Sequence, residues 1–303
     1  MECHFLGTGS GIPSKSRNVS ALVVRFLQQK VQWLFDCGEA TQHQILSTPV
    51  TLSRINRIFI SHLHGDHIFG LPGLLCSRSA QGAVSELTIY GPSGLQEYIE
   101  TSLSLSQSYL GYSITYVIVE EGVVYSDDSV TVEALSLDHV MPSFAYKITE
   151  CDKPGTLQVD KLKELGIEPG PIYQKIKNGE AVTLSNGLVI ESSEFLSEPI
   201  KGRSIVIAGD TRVITKMAAF SSGVDLLIHE GTFSSDKAEH AEKFGHSTIL
   251  EVANLAKEAK VKKLILTHIS SRYVDKEEEL LLEATSVFEQ SIIAHDYMIY
   301  RFE

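Results

Sequence analysis

The sequence predicts an α/β protein, and three observations carry that expectation. Short β-branched and aromatic runs recur along the 303-residue chain. Helical segments are interleaved with them in both halves, and several runs stop abruptly at a residue able to bind a metal. With 43% hydrophobic side chains, the chain has enough apolar material for one large core or two.

In chain order, strands are expected at Cys3 to Leu6, Ala21 to Phe26, Gln32 to Phe35 and Arg57 to Ile60, separated by turns rich in Gly, Ser and Pro. Helices are expected after Cys37-Gly38-Glu39, over Leu71 to Ser79 and over Ser93 to Leu105. Further strands fit Leu87 to Tyr90, Ile114 to Val119, Val130 to Leu137 and Phe144 to Ile148. From Cys151 to Ala181 the chain turns polar and is broken by Lys153-Pro154-Gly155, Gly166 and Pro169-Gly170-Pro171. This stretch is read as an inserted, protruding arm, against the alternative of an ordinary surface excursion. Strands resume at Leu188 to Ile190, Ser204 to Ala208, Leu226 to His229 and Leu264 to Thr267. Thr248-Ile249-Leu250-Glu251 has the form of a capping box opening a helix to Lys260. Asp275-Lys276-Glu277-Glu278 is expected to open a second in the same way, to about Glu289.

Composition narrows the function classes. A net charge of −12 and a pI near 5.4 argue against nonspecific nucleic-acid binding over the whole surface, while leaving room for a local basic face. No apolar run is long enough for a membrane span, and the start lacks a basic segment followed by an apolar one, so a cytoplasmic protein without membrane attachment is expected. Cys3, Cys37, Cys76 and Cys151 lack CxxC spacing, which indicates neither a disulfide framework nor a thiolate metal site.

The chemistry concentrates in Ser61-His62-Leu63-His64-Gly65-Asp66-His67, directly after the apolar run Arg57-Ile58-Phe59-Ile60. Three imidazoles and a carboxylate at i, i+2, i+4 and i+5 cannot share one face of a helix, so the reading is a loop at a strand's end. Such a crowd of polar groups at a buried strand costs desolvation unless something binds it. Neutral imidazole and carboxylate suit Zn²⁺, with Mn²⁺ or Fe²⁺ as competitors. Four ligands exceed what one catalytic zinc takes, which points to two ions and to further ligands downstream. His139, Asp210 and His268 each follow a short apolar run and are the candidates, with Gly209 permitting close backbone approach. His4, His43, His240 and His295 are read as packed or solvated side chains.

Phe5-Leu6-Gly7-Thr8-Gly9-Ser10-Gly11, the HxHxDH loop, His139, Gly209-Asp210-Thr211 and Thr267-His268 together resemble the metallo-β-lactamase superfamily over nearly the whole chain. Pro13 to Asn18 looks like the PxKxRN loop of the ribonuclease Z family of tRNA 3′-processing endoribonucleases, His229 to Phe233 like its HEAT loop, and Gly245 to Thr248 like its HST loop. The resemblance implies a four-layer αβ/βα sandwich spanning residues 1–303, with 151–181 as a flexible arm that is a candidate tRNA exosite. It implies two Zn²⁺ per subunit, with Mn²⁺ as an alternative. His62, His64 and His139 would hold one ion, Asp66, His67 and His268 the other, and Asp210 would bridge them. Two ions roughly 3.5–4 Å apart lower the pKa of a shared water and neutralise charge on a phosphoryl oxygen, so that a metal-bound hydroxide attacks phosphorus.

By the same resemblance Asp66 is the proton acceptor and His246, paired with Glu230, the donor to the leaving oxygen; the alternative for His246 is a helix-entry residue with only a capping role. Lys15, Arg17 and Asn18, with Lys153, Lys161 and Lys163 of the arm, would contact substrate. The expected substrate is precursor tRNA, cut to leave a 3′-hydroxyl on the tRNA and a 5′-phosphate on the trailer, by a homodimer. Two departures from the family pattern stand out. Gly231 replaces Ala in the HEAT-like loop, and between Cys151 and Glu180 five lysines face five carboxylates, so the arm is not basic. Rival readings are a superfamily hydrolase acting on a thioester, lactam, sulfate ester or cyclic nucleotide, and a noncatalytic binding protein that kept the fold.

Overall fold

The structure, a computed structural model, describes residues 1–184 and 187–302. Two seven-stranded sheets dominate it. The first runs, in spatial order, Ile299–Arg301, Glu2–Gly7, Ala21–Phe26, Val31–Phe35, Ile55–Phe59, Leu87–Gly91 and Ile114–Ile118. The second runs Ser291–Ile293, Leu264–Thr267, Leu226–Glu230, Ser204–Ala208, Phe144–Glu150, Val130–Ser136 and Gly122–Ser126.

Alternation along the strands builds the layers. In the first sheet Leu34, Ile58 and Ile89 belong to the apolar cluster that includes Ile45, Leu71, Leu74, Leu95 and Ile99 from helices Thr41–Leu46, Leu71–Ala80 and Leu95–Leu105. Their successors Phe35, Phe59 and Tyr90 stack on one another at 4.9 and 4.5 Å, and Phe59 meets Tyr146 of the second sheet at 5.2 Å. A two-residue side-chain period thus sends aliphatic residues to the helices and aromatic ones to the neighbouring sheet. In the second sheet Val206, Leu227, Leu264 and Leu266 pack with Met217, Val252, Leu255 and Leu280 of its own helices. Helices, sheet, sheet and helices make the four layers expected. Strands buried on both faces read as continuous apolar runs, as Ile205 to Ile207 and Leu264 to Leu266 do.

Most pairings within Val31–Phe35, Ile55–Phe59, Leu87–Gly91 and Ile114–Ile118 are parallel, as are those of Ser204–Ala208, Leu226–Glu230, Leu264–Thr267 and Ser291–Ile293. Parallel strands deliver their C-terminal ends to one edge, where α/β proteins bind ligands. Asp36, the His62 loop, Asp210, Glu230 and His268 all lie at such ends.

Three sequence expectations need correction. The loop reading of residues 61–67 is half right, because Gly65–Ile68 forms a single helical turn closed by Phe69 N–H to Gly65 C=O at 2.9 Å. The spacing rule excludes a helix for all four ligands together, not for Asp66 and His67 alone. The second capping box is absent: the helix runs Glu277–Thr285, begins after Lys276 and has no side-chain cap. Val189–Ile190 does not resume the large sheets but pairs antiparallel with Val182–Thr183. The first capping box forms as written, with Thr248 Oγ1 accepting from Glu251 N–H and Glu251 Oε2 accepting from Thr248 N–H at 2.8 Å. Thr248→Ala is therefore expected to cost about 1 kcal/mol in denaturant-induced unfolding.

The chain divides into two compact units, one of Met1–Tyr125, Val132–Ile148 and Ile205–Glu303, the other of Ser126–Thr131 and Thr149–Ser204. The second has its own small core of Leu162, Ile167, Ile176, Ile190 and Phe195, built around helices Val159–Glu164, Pro171–Lys177 and Ser192–Phe195. Among the described residues no helix is long and apolar enough to cross a membrane.

Candidate metal centre

All seven expected ligands converge. His62, His64, His139 and Asp210 form one group, and Asp66, His67, Asp210 and His268 a second, with the ligand atoms of each group within 4.8 Å of one another. Asp210 is common to both. It sits 3.6 Å from His62 Nε2, 3.5 Å from His67 Nε2 and 3.3 Å from His268 Nε2. Gly209 lets it approach: a Cβ there would stand 2.5 Å from Ser61 Cβ and 3.0 Å from the Phe144 carbonyl oxygen. The helical turn explains how one motif serves both groups, since His62 and His64 precede the turn while Asp66 and His67 lie in it.

Neighbouring groups fix which ring nitrogen His67, His139 and His268 turn to the cluster. His67 Nδ1 lies 2.7 Å from Asp36 Oδ2 and His139 Nδ1 lies 2.7 Å from the Gly245 carbonyl. Both partners only accept, so both Nδ1 atoms carry a proton and Nε2 is the nitrogen each ring turns to the cluster. The Thr232 hydroxyl donates to Glu230 at 2.6 Å and so accepts from His268 Nδ1 at 2.9 Å, which leaves Nε2 as the nitrogen turned to the cluster. The ring nitrogens crowd together. His62 Nε2 and His64 Nδ1 are 3.0 Å apart, His139 Nε2 and His64 Nδ1 3.2 Å, His67 Nε2 and His268 Nε2 3.3 Å. Tetrahedral ligands on bonds of about 2.1 Å are separated by about 3.4 Å, so the donor set fits divalent ions of zinc's size.

Charge supports the same reading. Burial pushes His62 down to about 2, with the neighbouring His67 charge adding to it. Burial also lowers His64 and His139. For Asp66, burial is outweighed by hydrogen bonds from His268 and His67, and the carboxyl falls well below its usual range. Asp210 is likewise held low against burial by His268, His67 and His62. His67 moves the other way, burial being overcome by Asp210 and Asp36. The cluster thus holds two ionised carboxylates, with His62, His64 and His139 kept neutral by burial and His67 carrying a proton that a metal must displace.

Beside it, His246 Nδ1 meets Glu230 Oε1 at 2.9 Å. Glu230 is buried and also accepts from the backbone N–H groups of Thr211 and Thr232, both at 3.1 Å. Burial opposes a charge on His246, but this bonded carboxylate prevails and pushes it up to about 9. His246 is only half-buried, which leaves its ring open toward solvent.

Of the expected substrate contacts, Lys15 is exposed, whereas Asn18 Nδ2 is engaged with the Glu39 carbonyl at 2.8 Å. Arg17 is a correction. It is 2% exposed, with Nη1 donating to Thr8 Oγ1 and the Ala294 carbonyl, both at 2.6 Å, and Nη2 2.8 Å from Glu277. A guanidinium so enclosed ties chain segments together and has nothing left for RNA. Lys153, Lys161 and Lys163 are exposed residues of the second compact unit.

Sequence reading missed Asp36, Ser61 and Thr232. Asp36 accepts from Ser61 N–H at 2.7 Å and from Ser61 Oγ at 2.8 Å besides orienting His67. The signal was available: Asp36 ends an apolar strand, as the ligands do. Its φ of +54° and that of His268, +56°, are left-handed, a backbone state retained at functional positions at some cost. Asp36→Ala is expected to lower metal affinity roughly 10–100-fold, read by competition with a chelating dye; unchanged affinity would remove Asp36 from the centre.

Comparison with known proteins agrees with this geometry. Residues 32–269 match the model of the beta-lactamase superfamily domain. Ribonuclease Z of Halalkalibacterium halodurans is 53% identical over 302 residues, covering 99% of this chain and 98% of the relative. Ribonuclease Z of Listeria innocua is 53% identical over 303 residues, covering 99% of each. The crystal structure of the short form of human tRNase Z superposes with a TM-score of 0.71 at 30% identity, covering 99% of each chain. Matches of this identity along the whole length place the chain in the ribonuclease Z family of the β-lactamase superfamily.

Proposed function

We propose that the chain is a zinc-dependent endoribonuclease that removes the 3′ trailer from precursor tRNA, acting as a homodimer in the cytoplasm. The observation that carries the proposal is the His246–Glu230 pair beside two ligand groups that share Asp210. A proton donor next to a two-ion site is what cleavage of a phosphodiester demands, and the relatives that match along the whole chain are named ribonuclease Z. Two Zn²⁺, held by His62, His64 and His139 and by Asp66, His67 and His268 with Asp210 between, would activate water and offset charge on the phosphoryl oxygens.

The side chains would do the rest. Asp66 is anchored by the Gly11 N–H on Oδ2 at 2.8 Å, and its ionised carboxylate accepts the proton of the attacking water. As the water oxygen bonds to phosphorus, the bond from phosphorus to the 3′ oxygen breaks. His246 passes its proton to that oxygen, giving a 3′-hydroxyl on the tRNA and leaving the phosphate on the trailer. Glu230 holds His246 in orientation and favours its charged form. A small cavity with about 40 Å³ for water-sized centres is lined by Phe35, Asp36, His67, Asp210, Glu230 and His268, enough for the attacking water.

The test is incubation of metal-replete protein with a 3′-extended precursor tRNA, mapping product ends with and without chelator. A chelator-sensitive cut beyond the acceptor stem with a 3′-hydroxyl is expected. Hydrolysis of a small phosphodiester alone would shift the reading to another hydrolase of the superfamily.

A further inference from the structure

Gly9–Ser10 and Ile269–Ser270 form a two-stranded parallel sheet, with Gly9 opposite Ile269 and Ser10 opposite Ser270. Parallel strands send their following segments off the same end. The segment carrying Lys15 and the turn Ser271–Tyr273 carrying Arg272 therefore leave side by side. The first touches the ligand cluster through the Gly11 N–H on Asp66, and the second follows His268 within three residues.

Arg272 is exposed, yet it is held in place. Its Nε donates to Ser270 Oγ at 3.2 Å, and its guanidinium carbon lies 5.0 Å from the centre of the Phe233 ring. That ring stands 5.9 Å from the imidazole of His246. An exposed arginine is ordinarily a solvated charge, free to sweep or to pair with a nearby carboxylate. Here a hydroxyl and an aromatic face orient the fork, and neither neutralises it. The guanidinium thus stands one aromatic ring away from His246, the proton donor of the proposed reaction, and keeps its charge for an anionic partner.

We propose that Arg272 binds a backbone phosphate of the RNA strand next to the scissile one, as a second cationic point beside Lys15. This rests on the reading that the chain cuts RNA. A planar guanidinium pre-aligned on Phe233 can grip a phosphate through two N–H groups at small entropic cost. A lysine could not reproduce that grip, because its single ammonium neither forks nor stacks.

The test compares metal-loaded wild type with Arg272→Ala and Arg272→Lys on a 3′-extended precursor tRNA over a salt series. For Arg272→Ala, KM is expected to rise roughly tenfold, the size of one charge-assisted hydrogen bond, with kcat little changed. The slope of log affinity against log salt should shrink by about 1. Arg272→Lys should restore the slope and only part of the KM. An unchanged KM and slope would overturn the proposal, as would a fall in kcat accompanied by a lowered melting temperature, which would mark a structural role. A wild type that fails to cut precursor tRNA would instead sink the functional reading beneath it.

Discussion

Asp66→Ala is expected to reduce cleavage of precursor tRNA by roughly 10²–10⁴-fold, the span of a lost general base, while RNA affinity stays near wild type. Two proposed roles would be removed together. Asp66 Oδ2 stands 3.3 Å from His268 Nε2 within the second candidate ligand group, and the same ionised carboxylate is the proton acceptor of the proposed reaction. Asp66→Asn separates the two, since an amide oxygen can still face a cation but cannot take a proton. Metal content should then fall in the alanine variant more than in the asparagine one, with both catalytically crippled. Undiminished turnover by a metal-loaded Asp66→Ala protein would end the assignment.

Arg17→Ala should act on stability, not on substrate recognition, with an expected loss of about 2–4 kcal/mol from an unpaired buried carbonyl and a new void. The Ala294 carbonyl loses its donor, and the tie from the segment after Thr8 to the helix that begins at Glu277 is cut. Glu277 keeps 38% of its side chain exposed, so water can take over its charge and the loss stays below that of a fully buried ion pair. Lys15→Ala is the contrast: Lys15 is exposed, so stability should hold while KM for RNA rises. Denaturant unfolding alongside steady-state kinetics distinguishes the two. A stable Arg17→Ala protein with a raised KM would restore Arg17 to the RNA-binding surface.

The ligand set was legible because its signal is local. An apolar strand must end where the chain leaves the core, and a histidine or aspartate at that point lies at the sheet's edge whatever the rest of the chain does. Asp36 met the same criterion but stood alone at its strand end. Nothing in the residues around it told that it would face His67, 31 positions on. The capping box at Thr248 was legible for the same local reason, being closed within four residues. The one expected at Asp275 failed because the helix starts later, with Glu277 drawn to Arg17 across 260 positions.

The sequence by itself therefore carried the seven candidate ligands and the motifs that resemble the family. Each is written in short motifs, several of them at the end of an apolar strand, which backbone geometry places at the sheet's edge. Only the tertiary structure decided what became of the individual charges. It buried Arg17 under Thr8 and Ala294 and laid Arg272 across Phe233. A charged side chain is equally at home in water, in an ion pair or on an aromatic face, and only its neighbours in space select among them.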